Sequence, residues 1–117
     1  MKKILVVDDE DNLRALFQGE LADEGYQVVT ARTGEEAVEL VEKENPDLIT
    51  MDIKMPGMGG IEALRNIREK HPSIPIIMLT AYSEFKNDFD VWAADAYVVK
   101  SSDLGDLKQK VRYFLET

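Results

Sequence analysis

Short apolar runs alternate with amphipathic stretches along the whole chain, and this alternation predicts repeated strand–helix units around a parallel sheet. Five strands are expected near residues 4–8, 27–31, 47–52, 75–80 and 96–99. Their near-continuous aliphatic character suits strands covered on both faces. Between the first two, Leu13, Leu16, Phe17 and Leu21 recur at helical spacing, and Gly25 offers a left-handed stop. Ala37, Leu40 and Val41 mark a second helix. It opens at Thr33-Gly34, carries Glu35 and Glu36 in the first turn where the helix dipole favours them, and ends before Pro46. Ile61, Leu64 and Ile67 give a third helix that stops before Pro72. Leu104, Leu107, Val111, Phe114 and Leu115 form the clearest stripe, a fifth helix with Ser102 or Asp103 as its N-cap. The fourth is weak. Phe85, Phe89, Trp92 and Ala93 fit a helix, but Lys86-Asn87-Asp88 and Asp90 favour it poorly, so it is expected to be short or mobile.

The chemistry gathers where these strands end. Asp8 and Asp9 follow directly on Ile4-Leu5-Val6-Val7, and Asp52 closes the run from Leu48 to Met51. In a parallel sheet all three acids emerge at one edge, beside an open crevice. Two carboxylates about 4 Å apart repel by roughly 4 kcal/mol at an effective dielectric of about 20. Such a cluster demands a cation or protons. With no His or Cys nearby in sequence, Mg²⁺ fits better than a softer ion. An isolated acid pair is more often a helix cap or a solvated turn, and Asp52 is what shifts the balance. Thr80 and Lys100 end the fourth and fifth strands and converge on the same edge. Alone, each reads as an ordinary strand residue or loop cation; with the acids they supply a hydroxyl and an ammonium for phosphoryl transfer to a carboxylate.

Composition narrows the classes. The 117 residues suit one domain, 1–117, with a real core. The absence of Cys excludes disulfides and thiolate sites and points to a reducing compartment, and no apolar stretch is long enough for a membrane span, so a cytoplasmic protein is expected. A formal charge of -9 opposes contact with nucleic acid phosphates or anionic lipid.

The motifs VVDDE at 6–10, MDIKMPGMGG at 51–60, MLTAY at 78–82 and AYVVK at 96–100 together resemble the receiver domain of bacterial two-component response regulators over the whole chain. The resemblance implies an α/β, flavodoxin-like five-stranded parallel sheet of order 2-1-3-4-5 with helices on both faces. It also implies a signalling switch: Asp52 accepts a phosphoryl group from the phosphohistidine of a sensor histidine kinase or phosphotransfer protein. By the same likeness Asp9, Asp52 and the backbone carbonyl of Lys54 hold Mg²⁺, with Asp8 acting through water. Lys100, Thr80 and the Ala81 backbone N–H bind the phosphate. Thr80 and Tyr97 form the switch, and the face of the fourth helix, fifth strand and fifth helix is remodelled to engage a downstream effector or a second copy in a homodimer. Turnover of an external substrate is not expected.

Several positions depart from the family pattern. Ser101 follows Lys100 where Pro, joined by a cis peptide, is usual, and a cis bond before Ser would cost roughly 3 kcal/mol. Ala93 and Ala96 stand where Gly and an acid are common, and bulky Trp92 replaces a small residue. These changes fall on the weak fourth helix, which is expected to order on activation. Lys54 and Tyr82 are expected to flank the path of an attacking water and slow loss of phosphate. His71 reads as a solvated loop residue, and Met51, Met55, Met58 and Met78 as core or site wall. Two other classes compete. A Mg²⁺-dependent aspartyl phosphatase would need a substrate cap for which the chain has no insertion. A mononucleotide binder would need Gly, Ser or Thr where Asp8-Asp9-Glu10-Asp11 stands.

Overall fold

The computed structural model describes residues 1–53, 55, 57–80, 94–100 and 104–116. Within them, strands and helices alternate as β1 (Lys3–Val7), α1 (Asp11–Asp23), β2 (Gln27–Ala31), α2 (Gly34–Glu44), β3 (Leu48–Asp52), α3 (Gly60–Lys70), β4 (Ile76–Thr80), β5 (Ala96–Val99) and α4 (Gly105–Leu115). The last of these is the expected fifth helix. The expected fourth helix, together with Ala81, Tyr82, Lys54 and the N-cap candidates Ser102 and Asp103, lies outside the described residues.

All strand pairs are parallel, and the order is β2-β1-β3-β4-β5. Register aligns the strand ends: Val7 lies opposite Met51, Asp52 opposite Leu79, and Thr80 opposite Val99. The period-2 alternation of side chains then divides the core. Leu5, Val7, Ile49, Met51, Ile76 and Met78 pack against α2 and α3, with Met55 and Met58 half-buried beside them. Ile4, Val6, Leu48, Ile77, Leu79 and Val98 pack against α1 and α4. β1, β3 and β4 are buried almost throughout, as their largely apolar runs require.

Local chemistry terminates the helices as expected. Thr33 caps α2, its side chain accepting from Glu36 N at 3.1 Å, and Asn45 in the left-handed conformation closes it one residue before Pro46. Gly25, at φ +99°, turns the chain out of α1. Three expectations need correction. The N-cap position of α4 is Leu104, past the expected Ser102 or Asp103, because the helix begins only at Gly105. Leu16 lies on the solvent side of α1, 42% exposed, because the buried stripe of this helix runs through Phe17 and Leu21 with Leu13 at its margin. His71 is no free loop residue: it caps α3, and its Nε2 lies 2.8 Å from Glu42 on α2, which holds the Glu42 carboxyl below its ordinary range.

Candidate functional site at the carboxyl edge of the sheet

Strand parity decides which side chains meet. Asp8, one residue beyond β1, continues the row of Ile4 and Val6; Asp52 continues that of Leu48; Lys100, one residue beyond β5, continues that of Val98. All three therefore rise on the α1/α4 side of the edge. Lys100 Nζ lies 3.0 Å from Asp8 Oδ2 and 3.3 Å from Asp52 Oδ2. Asp9 completes the group from the rim. It is exposed, while Asp8 and Asp52 are buried, and carboxylate oxygens of the three acids all lie within 4.8 Å of one another.

The turn that carries Asp8 and Asp9 is tightly tied. Asp8 N donates to Ala31 O at 3.2 Å, and Asp8 Oδ1 accepts from Glu10 N at 2.9 Å, an Asx-type turn before α1. The turn alternative for this acid is thus partly realised, while the N-cap of α1 is Glu10 with no side-chain cap: one Asp8 oxygen shapes the turn and the other faces the site. Arg14, which the sequence reading passed over, donates to the Asp8 carbonyl and to Asp11. Its guanidinium, first by hydrogen bond and then by charge, holds the Asp11 carboxyl below its usual range. An Asp–Arg pair at i,i+3 was the available signal. On the other flank, Gly60 brings α3 against the strand. A Cβ there would lie 2.0 Å from the Asp52 carbonyl oxygen, so only glycine allows the approach that lets Gly60 N donate to Ile53 O at 2.9 Å.

The electrostatics are unbalanced. Among the described residues three carboxylates face one ammonium, and burial disfavours charge on Asp52 most, with Asp8 and a hydrogen bond to Asp9 adding to the effect against the pull of Lys100; the Asp52 carboxyl is pushed up to about 6. Lys100 titrates above its ordinary value because hydrogen bonds and charge from Asp8 and Asp52 outweigh its burial, so it stays cationic. Asp8 Oδ2 has no exposed surface and, among the described residues, is compensated by the Lys100 ammonium at 3.0 Å. A buried carboxylate oxygen of this kind within an all-oxygen donor set fits a hard divalent cation that keeps several waters, which is how Mg²⁺ binds.

Of the other expected residues, Thr80 ends β4, buried, and its carbonyl accepts from Lys100 N at 2.6 Å. Tyr97 stands on β5 with the opposite parity to Lys100, half-buried against the α2/α3 side of the core. Lys54 and Ala81, adjoining the ends of β3 and β4, lie outside the described residues.

The model of the response regulator receiver domain matches residues 4–112. This chain belongs to the response regulator receiver domain family. Among receiver structures, it is similar to response regulator TrrA of Thermotoga maritima in complex with Mg²⁺-BeF: 50% identity, a TM-score of 0.96, and coverage of 98% of this chain and 100% of that one. A structure of histidine kinase ThkA in complex with TrrA matches at 50% identity with a TM-score of 0.92, covering 98% of this chain and 99% of that one. Among curated relatives, the alkaline phosphatase synthesis transcriptional regulatory protein PhoP of Bacillus subtilis is 40% identical over 97% of this chain. The receiver chain spans 48% of PhoP, but 94% of sporulation initiation phosphotransferase F from the same organism, at 35% identity. No helix of the described residues is long and apolar enough to cross a membrane.

Proposed function

We propose that this receiver is a phosphorylation-driven switch in which Asp52 takes a phosphoryl group from the phosphohistidine of a sensor histidine kinase or phosphotransfer protein. The observation that carries this reading is the meeting of Asp52 with Asp8, Asp9 and Lys100 at one rim, their carboxylate oxygens within 4.8 Å of one another. A carboxylate oxygen of Asp52 attacks phosphorus, the P–N bond to the donor imidazole breaks, and the released nitrogen takes up a proton. Asp9, Asp52 and the backbone carbonyl of Lys54 would hold Mg²⁺, with Asp8 acting through water. The bound ion would neutralise charge on the transferring group. Lys100, already between Asp8 and Asp52, reaches the phosphoryl oxygens by a small movement and compensates the charge that arrives. The Thr80 hydroxyl and the Ala81 N–H donate to the remaining oxygens.

The same reading makes the output conformational. Once Thr80 turns toward a phosphate, Tyr97 moves further into the side of the core it already touches, and the face built on β5 and α4 changes shape for a downstream effector or a second copy. The likeness to the kinase-bound and Mg²⁺-BeF-bound TrrA structures supports both the donor and the ion. With no external substrate turned over, the chemistry serves only the protein's own phosphorylation and its reversal. A small acyl phosphate with Mg²⁺ should add one phosphoryl group to the parent, measured as intact mass, and none to Asp52→Ala. An Asp52→Ala variant that still gains the full mass rules this acceptor out.

A further inference from the structure

The turn after β1 carries two of the three acids, and one side chain braces it from outside the acid cluster. Arg14, in the first turns of α1, has a side chain only 15% exposed. Its Nη1 donates to the Asp8 carbonyl oxygen at 2.9 Å and its Nη2 to Asp11 Oδ1 at 2.5 Å. The rigid fork of a guanidinium thus spans the turn, with one acceptor at each end. Within that span the Glu10 amide donates to Asp8 Oδ1, and Asp9 is carried between them.

Four successive acids, Asp8 to Asp11, repel one another and push such a turn open. If only a fraction of the free protein held Asp8 and Asp9 toward Asp52, the apparent affinity for a cation would fall by that fraction. We infer that Arg14 is a positioning residue for the cation site: by clamping Asp8 to Asp11 it keeps the turn in the conformation that aims Asp8 and Asp9 at Asp52. This rests on the reading that these acids hold Mg²⁺. The sign of the effect is diagnostic. If Arg14 acted only as a nearby positive charge, removing it would strengthen the attraction of the acids for a cation; if it acts as a clamp, removing it weakens binding.

Calorimetric titration with Mg²⁺ of the parent, Arg14→Ala and Arg14→Lys, paired with amide hydrogen exchange, tests this. The parent should bind, and both variants should bind about tenfold more weakly, the lower end of what loss of an outer partner costs a metal site. Lysine keeps the charge and lacks the fork, so it should not restore affinity. The Glu10 amide should exchange faster in both variants while the amides of Ile49 and Met51 in β3 keep their protection, a split that a general loss of stability would not produce. A parent that binds no Mg²⁺ overturns the ion-site reading and this role with it. A parent that binds while the variants bind as tightly or more tightly overturns the role of Arg14 alone. Should Arg14→Ala fail to fold, Arg14→Lys decides by the same criterion.

Discussion

The two faces of the sheet are built from the same strands and differ in what they bury. Against α2 and α3 the strand side chains of β1 and β3 are aliphatic or Met to their ends: Leu5, Val7, Ile49 and Met51. Against α1 and α4 the alternate positions begin as aliphatic, Ile4, Val6 and Leu48, and then turn polar at Thr50, Asp52, Asp8 and Lys100. One face therefore supplies cohesion, while the other accepts buried charge where it meets the carboxyl edge. The lesson is that a strained polar cluster can be held at a strand end when the opposite parity of the same strands is packed without interruption.

Breaking the apolar face should have the largest effect. Leu64 on α3 has no exposed surface, and Leu64→Ala should destabilise by about 2–5 kcal/mol, since a cavity opens where the helix seats on the sheet. Urea unfolding measures it. A loss within experimental error would mean that this face does not hold the molecule.

The polar face should respond to pH in the opposite sense to acids that salt bridges stabilise in the folded state. Asp52 titrates near 6 in the folded protein, above its ordinary value of 3.8, chiefly through burial. The folded state then binds its proton more tightly than the unfolded chain does, so this group's contribution is greatest below about pH 4 and is lost as pH rises through 6. Without Mg²⁺ the protein should be less stable at pH 7.5 than at pH 5 by about 1 kcal/mol, since at pH 5 the unfolded carboxyl has already lost its proton and water at the rim screens part of the rest. Asp52→Asn should flatten the dependence and stabilise the metal-free protein at pH 7.5. Thermal unfolding at the two pH values checks both, and an unchanged slope in the variant assigns the strain elsewhere.

The smallest effect sharpens the comparison from within. Thr50 lies in the middle of β3 with no exposed surface, and its hydroxyl has no hydrogen-bond partner among the described residues. Thr50→Val should therefore stabilise, by about 1 kcal/mol, because an unpaired buried hydroxyl gives way to a methyl group. It should leave Mg²⁺ affinity unchanged. A destabilised variant would show that the polar row beneath Asp52 is a connected network.

Much of this was legible in the chain. The strands were found to within a residue or two because each is a short, mostly apolar or β-branched run between turn residues, and Thr33, Asn45-Pro46 and Gly25 marked helix ends by their local chemistry. The misreadings share a cause. Leu16 fits the helical period as well as Phe17 does, and only the direction from which the sheet covers α1 leaves it in solvent. The tie between His71 and Glu42 joins two helices far apart in sequence, and no local pattern encodes it.

By itself the sequence determined that acids, a hydroxyl and a lysine stand at the ends of aliphatic strands, because periodicity and composition are properties of neighbours along the chain. Only the tertiary structure decided which of them share a rim. The parallel register and the parity of each strand bring Lys100 within 3.3 Å of Asp52 and leave Asp8 and Asp52 competing for its ammonium, with the Thr50 hydroxyl buried without a hydrogen-bond partner among the described residues. Such demands arise from groups distant in sequence competing for the same small volume, and strand pairing alone assigns that volume.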